Sequence, residues 1–276
     1  MEKIGLLGPL GTYTEEVAGK YCSEEGVDCD LVPYRTISEV FRAVEKGEVS
    51  EGVVPVENFL NGHVMETLDN LYKSGLQIHA AVVLPIRHCF AVASDAGDIS
   101  VVKSHPQALA QCSDYLDVNY SGADRVGTLS TASAMKEVAE GSSKDVAAIG
   151  SEVAAGKYGL KIMAKEIGNN NDNKTMFIAI GKDVAAKSDR SRTSLVVVPS
   201  VNKPGILSNI LSEFAGEKID LKMVQSRPDG KGNYVFYVDI EGHVEDENVA
   251  RVLDKLGGDS EVKVLGSYPY VSLSGV

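Results

Sequence analysis

Four short turns carry most of the side chains in this sequence that are suited to holding a small polar ligand. They are Gly8-Pro9-Leu10-Gly11-Thr12-Tyr13-Thr14, Pro55-Val56-Glu57-Asn58-Phe59-Leu60-Asn61-Gly62, Ser104-His105-Pro106-Gln107-Ala108 and Thr128-Leu129-Ser130-Thr131-Ala132. Each lies between an apolar run and a helix-like segment. The first N–H groups of a helix have no partner inside it, so such turns set backbone donors beside Ser, Thr and Asn side chains. Those donors can hold a carboxylate without a lysine. Any one of the turns also reads as an ordinary helix cap. Four of them in one region point to a small polar ligand. Glu57 is the acidic residue of the set, and it serves equally well as a capping carboxylate.

The run Asn169-Asn170-Asn171-Asp172-Asn173-Lys174-Thr175-Met176-Phe177 is turn chemistry followed by a β-type stretch. Strand alternation puts Thr175 and Phe177 on one face and Met176 on the other. A hydroxyl beside a flat ring suits a cleft, and it suits a strand edge equally. His105 reads as a turn cap ahead of a general base. His63, His79, His88 and His243 show no ligand spacing, and Cys22, Cys29, Cys89 and Cys112 show no CxxC and no pairing with His. Four reduced thiols and no bound metal are expected. No Gly-x-Gly-x-x-Gly, P-loop lysine or Ser nucleophile elbow is present, so no cofactor is expected.

The elements that position these groups alternate in β and α character. Lys3–Gly8, Asp30–Tyr34 and Gly52–Val56 read as strands. Thr12–Tyr21, Ser38–Lys46 and Asn61–Lys73 read as helices, the second opened by a capping Ser38. This rhythm predicts a mostly parallel sheet. Gln77–Ala93 breaks it as one long extended stretch with Pro85 in its middle, which carries the chain to a second lobe. A new βα series follows: strands at Val101–Lys103, Arg125–Thr128 and Val146–Ile149, helices at Pro106–Leu116, Thr131–Glu140 and Ser151–Tyr158. Lys161–Ile167 and Thr175–Ile180 return. The expected division is a lobe of residues 1–78 with 162–182, a second lobe of 79–161, and a ligand cleft between them. A polar linker is expected over 183–192, and a βαββαβ, ferredoxin-like unit over 193–276.

At 276 residues, 43% hydrophobic, the chain can bury a sizeable core. Its formal net charge of -12 argues against nucleic acid and anionic membranes as partners. An anionic ligand must therefore be held by local donors. No stretch approaches the roughly 20 apolar residues of a membrane span, and no signal peptide is evident, so the expected location is cytoplasmic.

Taken in order, these segments resemble the prephenate dehydratase family. Gly8–Thr14 is similar to its Gly-Pro-x-Gly-Thr-Phe-Ser opening, and Pro55-Val56-Glu57-Asn58 with Gly62 to its Pro-x-Glu-Asn-Ser-x-x-Gly helix start. Ser104–Cys112 and Ala147–Ser151 are close to the family's forms, and Asn173–Phe177 sits where it carries Asn-x-Thr-Arg-Phe. Pro204-Gly205-Ile206-Leu207 and Gln225-Ser226-Arg227-Pro228 resemble the Pro-Gly-Ala-Leu and Glu-Ser-Arg-Pro segments of the ACT regulatory domain.

The resemblance implies an α/β, two-lobed, periplasmic-binding-protein-like catalytic region plus a C-terminal ACT domain. It implies loss of carbon dioxide and a ring hydroxyl from prephenate to give phenylpyruvate, with no metal or cofactor. Thr175 becomes the catalytic hydroxyl, with Phe177 and Asn173 beside it. Thr12, Tyr13, Glu57, Asn58, Ser104, Gln107, Ser130 and Thr131 become substrate contacts. Phenylalanine is the implied effector, held by the two ACT segments in a homodimer or homotetramer.

Three positions depart from the pattern: Met176 for Arg, Phe59 for Ser and Gln225 for Glu. An Arg pointing into the cleft would supply about 1.5–3 kcal/mol of carboxylate contact that Met cannot. An Arg pointing away would be replaced by packing, and alternation favours this case. Lys174 and Arg87 are possible substitutes for the missing charge. Gln225 keeps a hydrogen-bonding amide and loses a charge, which weakens feedback. Two rival readings stand beside the dehydratase: a prephenate decarboxylase that does not aromatise the ring, and a non-catalytic amino-acid sensor.

Overall fold

A computed structural model describes residues 1–24, 26–230 and 233–272; the last four residues of the expected ACT unit lie outside these. The first lobe begins β1 (Glu2–Leu7), α1 (Tyr13–Glu24), β2 (Cys29–Tyr34), α2 (Ile37–Lys46), β3 (Glu51–Asn58), β4 (Gly62–His63), α3 (Met65–Lys73) and β5 (Gln77–Pro85). The second lobe follows as β6 (Cys89–Val92), β7 (Val101–Ser104), α4 (Pro106–Gln111), α5 (Ser113–Asn119), β8 (Asp124–Gly127), α6 (Thr131–Glu140), β9 (Val146–Gly150), α7 (Glu152–Lys157) and β10 (Lys161–Ala164). The chain returns to the first lobe as β11 (Lys174–Gly181). The last unit is β12 (Ser191–Pro199), α8 (Ile206–Gly216), β13 (Leu221–Pro228), β14 (Tyr234–Glu241), α9 (Glu247–Asp259) and β15 (Ser260–Ser272).

In the first lobe β1 lies between β2 and β3, all parallel, and β11 runs antiparallel between β3 and β5. The second lobe's sheet has the order β10-β6-β9-β7-β8. The lobe limits therefore differ from those expected. All of Gln77–Pro85 belongs to the first sheet, and Lys161–Ala164 to the second. The crossover is the short segment 86–88. It follows Pro85, which cannot donate to a ladder and so closes the strand.

Helix limits follow local capping. Thr36, not Ser38, caps α2: its hydroxyl accepts from the Glu39 N–H, and Gly47 closes the helix at φ 72°. Ser130 and Ser133 form a reciprocal capping box on α6. The expected Pro106–Leu116 helix is two short helices broken at Cys112. Cys22, at the end of α1, is joined by a disulfide to Cys29, which opens β2. This corrects the expectation of four free thiols. The α1–β2 turn brings their Cα atoms to 6.2 Å, within disulfide reach. Cys89 and Cys112 are free and buried.

The C-terminal unit has the expected order of elements, but it does not stand apart. Ser191 and Arg192, read as linker, already belong to β12. β15 leaves the ACT sheet and pairs in parallel with β5 through Tyr270↔Ala81 and Val271↔Val82. One sheet, ordered β13-β14-β12-β15-β5-β11-β3-β1-β2, therefore spans both units. Gly266 makes the crossing possible. Its φ is 154°, and a Cβ there would stand 2.6 Å from the Ile78 carbonyl oxygen. One core is shared as well: Met176 and Ile178 of β11 are buried with Val196, Tyr237, Leu265 and Tyr268 of the ACT unit.

Candidate active site

The register of β11 against β3 sets Thr175 opposite Asn58 and Met176 opposite Glu57. Directly paired residues share a face of the sheet, so Thr175 and Asn58 face one side and Met176 and Glu57 the other. The first side opens into a cleft of about 210 Å³ between the lobes. Thr175, Phe177 and Asn58 line its first-lobe wall, with Thr12 and Tyr13 from the start of α1. Across it stand Gln107, Gln111, Ser130 and Thr131 of the second lobe. The lobes are tied together by Tyr158, whose hydroxyl donates to the Leu10 carbonyl at 2.7 Å, and by the Lys157–Glu15 ion pair at 2.5 Å.

Among the described residues, no Lys or Arg side chain lines the cleft. Its polar groups suited to an anion are the N-termini of α1 and α6, which enter from opposite lobes, and the hydroxyl of Thr131. The Thr12 hydroxyl instead donates to the Leu7 carbonyl at 3.3 Å and accepts the Glu15 N–H at 3.4 Å. Arg87 is engaged elsewhere, by Glu166 at 3.6 Å and by the Asn171 carbonyl. Neither Arg87 nor Lys174 is a cleft residue.

An ordered chain of side-chain amides runs behind the wall. Asn58 Oδ1 accepts from the backbone N–H groups of Leu60 at 3.2 Å and Asn61 at 3.1 Å. A backbone N–H can only donate, so the orientation of this amide is settled. Asn58 Nδ2 then donates to Thr175 Oγ1 at 2.9 Å and to Asn173 Oδ1 at 2.9 Å. Asn173 Nδ2 donates in turn to Gln111 Oε1 at 3.1 Å. The polarity set at Leu60 and Asn61 thus passes through three amides, and it leaves Gln111 Nε2 buried without an acceptor.

Several sequence-predicted residues take other places. Glu57 faces away from the cleft, with His63 Nδ1 3.9 Å from its carboxylate. Alternation along β3 allows only one of Glu57 and Asn58 to face the cleft. Ser104 is fully buried, and its hydroxyl donates to the Ile149 carbonyl at 2.7 Å, bracing β7 against β9. Asn173 is buried behind the wall and acts on it through the amide chain. Tyr13 presents its ring to the cleft, but its hydroxyl donates to the Arg87 carbonyl at 2.6 Å. Burial, with Cys89 and Glu16 nearby, holds that phenol well above its ordinary value. His105 caps α4 as expected, its Nδ1 accepting the Gln107 N–H at 3.3 Å, and burial lowers its pKa.

Met176 packs into the core shared with the ACT unit, so its replacement of Arg takes no charge out of the cleft. Phe59 is exposed in the turn after β3. In the ACT unit Pro204–Leu207 form the turn into α8, where Gly205 has φ 85°. Gln225–Pro228 end β13, and the Gln225 amide donates to the Ser226 carbonyl. Arg227 forms a 3.0 Å ion pair with Asp69 of α3, a contact between the C-terminal unit and the first lobe.

Two residues missing from the expected site are Gln111 and His88. Gln111 lies within the Ser104–Cys112 segment, so it was visible as part of that motif. His88 carried no signal in its spacing. Its place is set by the crossover between lobes.

Comparison with known proteins bears on the whole chain. The family model described as prephenate dehydratase matches residues 4–185, and the ACT domain model matches residues 194–258. The chain is 38% identical over 272 residues to a bifunctional chorismate mutase/prephenate dehydratase of Pseudomonas aeruginosa, covering 97% of this chain and 73% of that one. It is 37% identical to the prephenate dehydratase of Methanocaldococcus jannaschii, with 95% and 96% covered. The crystal structure of a prephenate dehydratase from Arthrobacter aurescens in complex with L-Phe superposes with a TM-score of 0.89 at 30% identity, over 97% of this chain and 89% of that one.

Proposed function

The chain belongs to the prephenate dehydratase family, and from that premise we propose how its cleft performs the reaction. A prephenate dianion and one proton become phenylpyruvate, carbon dioxide and water. Hydroxide is a poor leaving group, so the ring hydroxyl must be protonated as the ring carboxylate departs and its electrons aromatise the ring.

Thr175 supplies that proton. The observation that carries this assignment is the 2.9 Å bond from Asn58 Nδ2 to Thr175 Oγ1. Because the oxygen receives an N–H there, the threonine's own proton is free for the cleft. The same N–H stabilises the oxygen as negative charge grows on it. Thr175 is only 8% exposed, and a dry site strengthens both effects. Water returns the proton after the products leave. Phe177 packs beside the ring. The N-termini of α1 and α6, with Thr131 and Ser130, hold the two carboxylates, and Gln107 and the free Gln111 Nε2 add donors. Asn173 holds Asn58 in place.

The ACT unit makes the enzyme responsive to phenylalanine, bound by Pro204–Leu207 and Gln225–Pro228 where two copies meet. The neutral Gln225 weakens that feedback relative to a Glu. We assign the protein to the cytoplasm as a homodimer or homotetramer.

The test is turnover of prephenate followed by the ultraviolet absorbance of phenylpyruvate, with and without phenylalanine. Thr175→Ala should lose at least about two orders of magnitude in kcat, the size of a general-acid contribution. Full activity in that variant would remove Thr175 as the donor. Release of carbon dioxide without an aromatic product would favour the decarboxylase, and binding of an amino acid without turnover would favour the sensor.

A further inference from the structure

His88 lies in the crossover 86–88, and its side chain has a hydrogen-bond partner in each lobe. Its ring is 5% exposed. Nδ1 is 3.2 Å from the hydroxyl of Tyr13 in the first lobe, and Nε2 is 3.2 Å from Oε1 of Gln111 in the second. The ring is also held edge-on to Tyr13, with centroids 5.9 Å apart, and its backbone carbonyl accepts the Ile167 N–H at 3.0 Å. It is therefore as fixed as the strands on either side of it.

The amide chain determines what that ring must be. Gln111 Oε1 already accepts from Asn173 Nδ2, and the orientation of Asn173 descends from the backbone donors at Leu60 and Asn61. The atom facing His88 Nε2 is therefore an acceptor, and Nε2 must carry a proton. The other neutral tautomer would set a lone pair against the carbonyl oxygen. Gln111 would then turn over, lose its bond with Asn173 and point an oxygen where its free N–H now is. Burial lowers the pKa of His88, against a smaller opposing effect of the Gln111 bond, so a neutral ring is the resting form. On the other side Nδ1 then carries a lone pair, which Tyr13 satisfies by sharing its single hydroxyl proton between the Arg87 carbonyl at 2.6 Å and Nδ1 at 3.2 Å.

We propose that His88, as the Nε2–H tautomer, is a positioning residue for the dehydration: it locks the Gln111 amide, and through Asn173 and Asn58 it holds the Thr175 hydroxyl aimed into the cleft. The proposal rests on the dehydratase reading and names a residue that acts without touching the substrate. Gln111 has three side-chain torsions. With Asn173 as its single partner it would be held by one bond, whereas His88 makes the hold two-sided. The chain also spans the lobes, because Gln111 belongs to the second and Asn58 to the first.

Two measurements test it. The first uses the wild-type protein without substrate: ¹⁵N-histidine NMR at pH 7.5 should find His88 neutral and protonated at Nε2. A ring protonated at Nδ1 alone would overturn the proposal whether or not the protein turns over prephenate. Absence of turnover alongside the Nε2–H form would instead count against the dehydratase reading. The second is a kinetic cycle. His88→Phe should lower kcat by about 10- to 100-fold, the scale of a small misplacement of a catalytic group. His88→Gln, which returns a donor near Nε2, should stay within about threefold of wild type. In a Gln111→Met background, His88→Phe should add less than about threefold, since the path to Thr175 is already cut. A purely structural role predicts the opposite: losses that multiply in the double variant and no rescue by Gln. Should His88→Phe fail to fold, the tautomer and His88→Gln against His88→Asn, too short to reach Gln111, decide the matter.

Discussion

Replacing Asp239 by Asn should make this protein more stable at neutral pH, though it removes a charge from a protein full of ion pairs. Asp239 lies on β14, buried at the joint where the ACT unit meets β11, beside Met176, Ser194 and Tyr268. Burial pushes its carboxyl from an ordinary 3.8 up to about 6; Glu57 adds to the rise, while the Ser194 bond and the charges of Arg192 and His63 oppose it. In the unfolded chain the group ionises near its ordinary value. Between about pH 4 and pH 6 the folded protein therefore binds a proton that the unfolded chain has released, so stability falls as pH rises through that window and the whole cost is present above it. At 1.36 kcal/mol per pH unit, the rise from 3.8 to about 6 corresponds to about 3 kcal/mol. An amide keeps an acceptor for Ser194, but brings N–H groups that find only part of their partners. A net gain of about 1–3 kcal/mol at pH 7.5 is expected, or roughly 3–8 °C in Tm. Urea denaturation at pH 4.5, 6.0 and 7.5 measures it. The gain should shrink toward zero at pH 4.5. A variant less stable than wild type at pH 7.5, or a gain equal at all three pH values, would refute the reasoning.

Asn58→Asp keeps the acceptor for Leu60 and Asn61 but turns the donor to Thr175 into an acceptor; kcat should fall by about 10²–10³, the cost of losing one donor to a developing oxyanion, while far-ultraviolet circular dichroism stays unchanged. Gly266→Ala would set a Cβ 2.6 Å from the Ile78 carbonyl oxygen, so β15 must pull away from β5; a loss of about 2–3 kcal/mol is expected, read as a fall in Tm. Thiol titration of the denatured, unreduced protein should count the two thiols of Cys89 and Cys112, and four after reduction; reduction should cost about 2–3 kcal/mol in urea midpoint experiments.

Much of this protein was legible in its sequence for local reasons. The alternation of β and α runs, the βαββαβ order of the last unit and the shared face of Thr175 and Phe177 follow from periods of two and 3.6 residues. Those periods depend only on neighbours in the chain. Alternation also separated Met176 from Thr175 before any partner was known. The ordered motifs from Gly8 to Pro228 sufficed for the family.

What faced the cleft was decided only by tertiary packing. Glu57 and Asn58 are adjacent and equally polar, and the register of β3 against β11 chose Asn58. Ser104 looked like a ligand contact until β9 arrived to take its hydroxyl. The amide chain joins residues 62 to 117 positions apart, from Gln111 to Asn173 and from Asn58 to Thr175. The fusion of β15 to β5 likewise needed two strands far apart in the chain to meet. Local periodicity carries no information about which distant groups meet. That is settled when the sheets close on one another and each buried donor must find its acceptor.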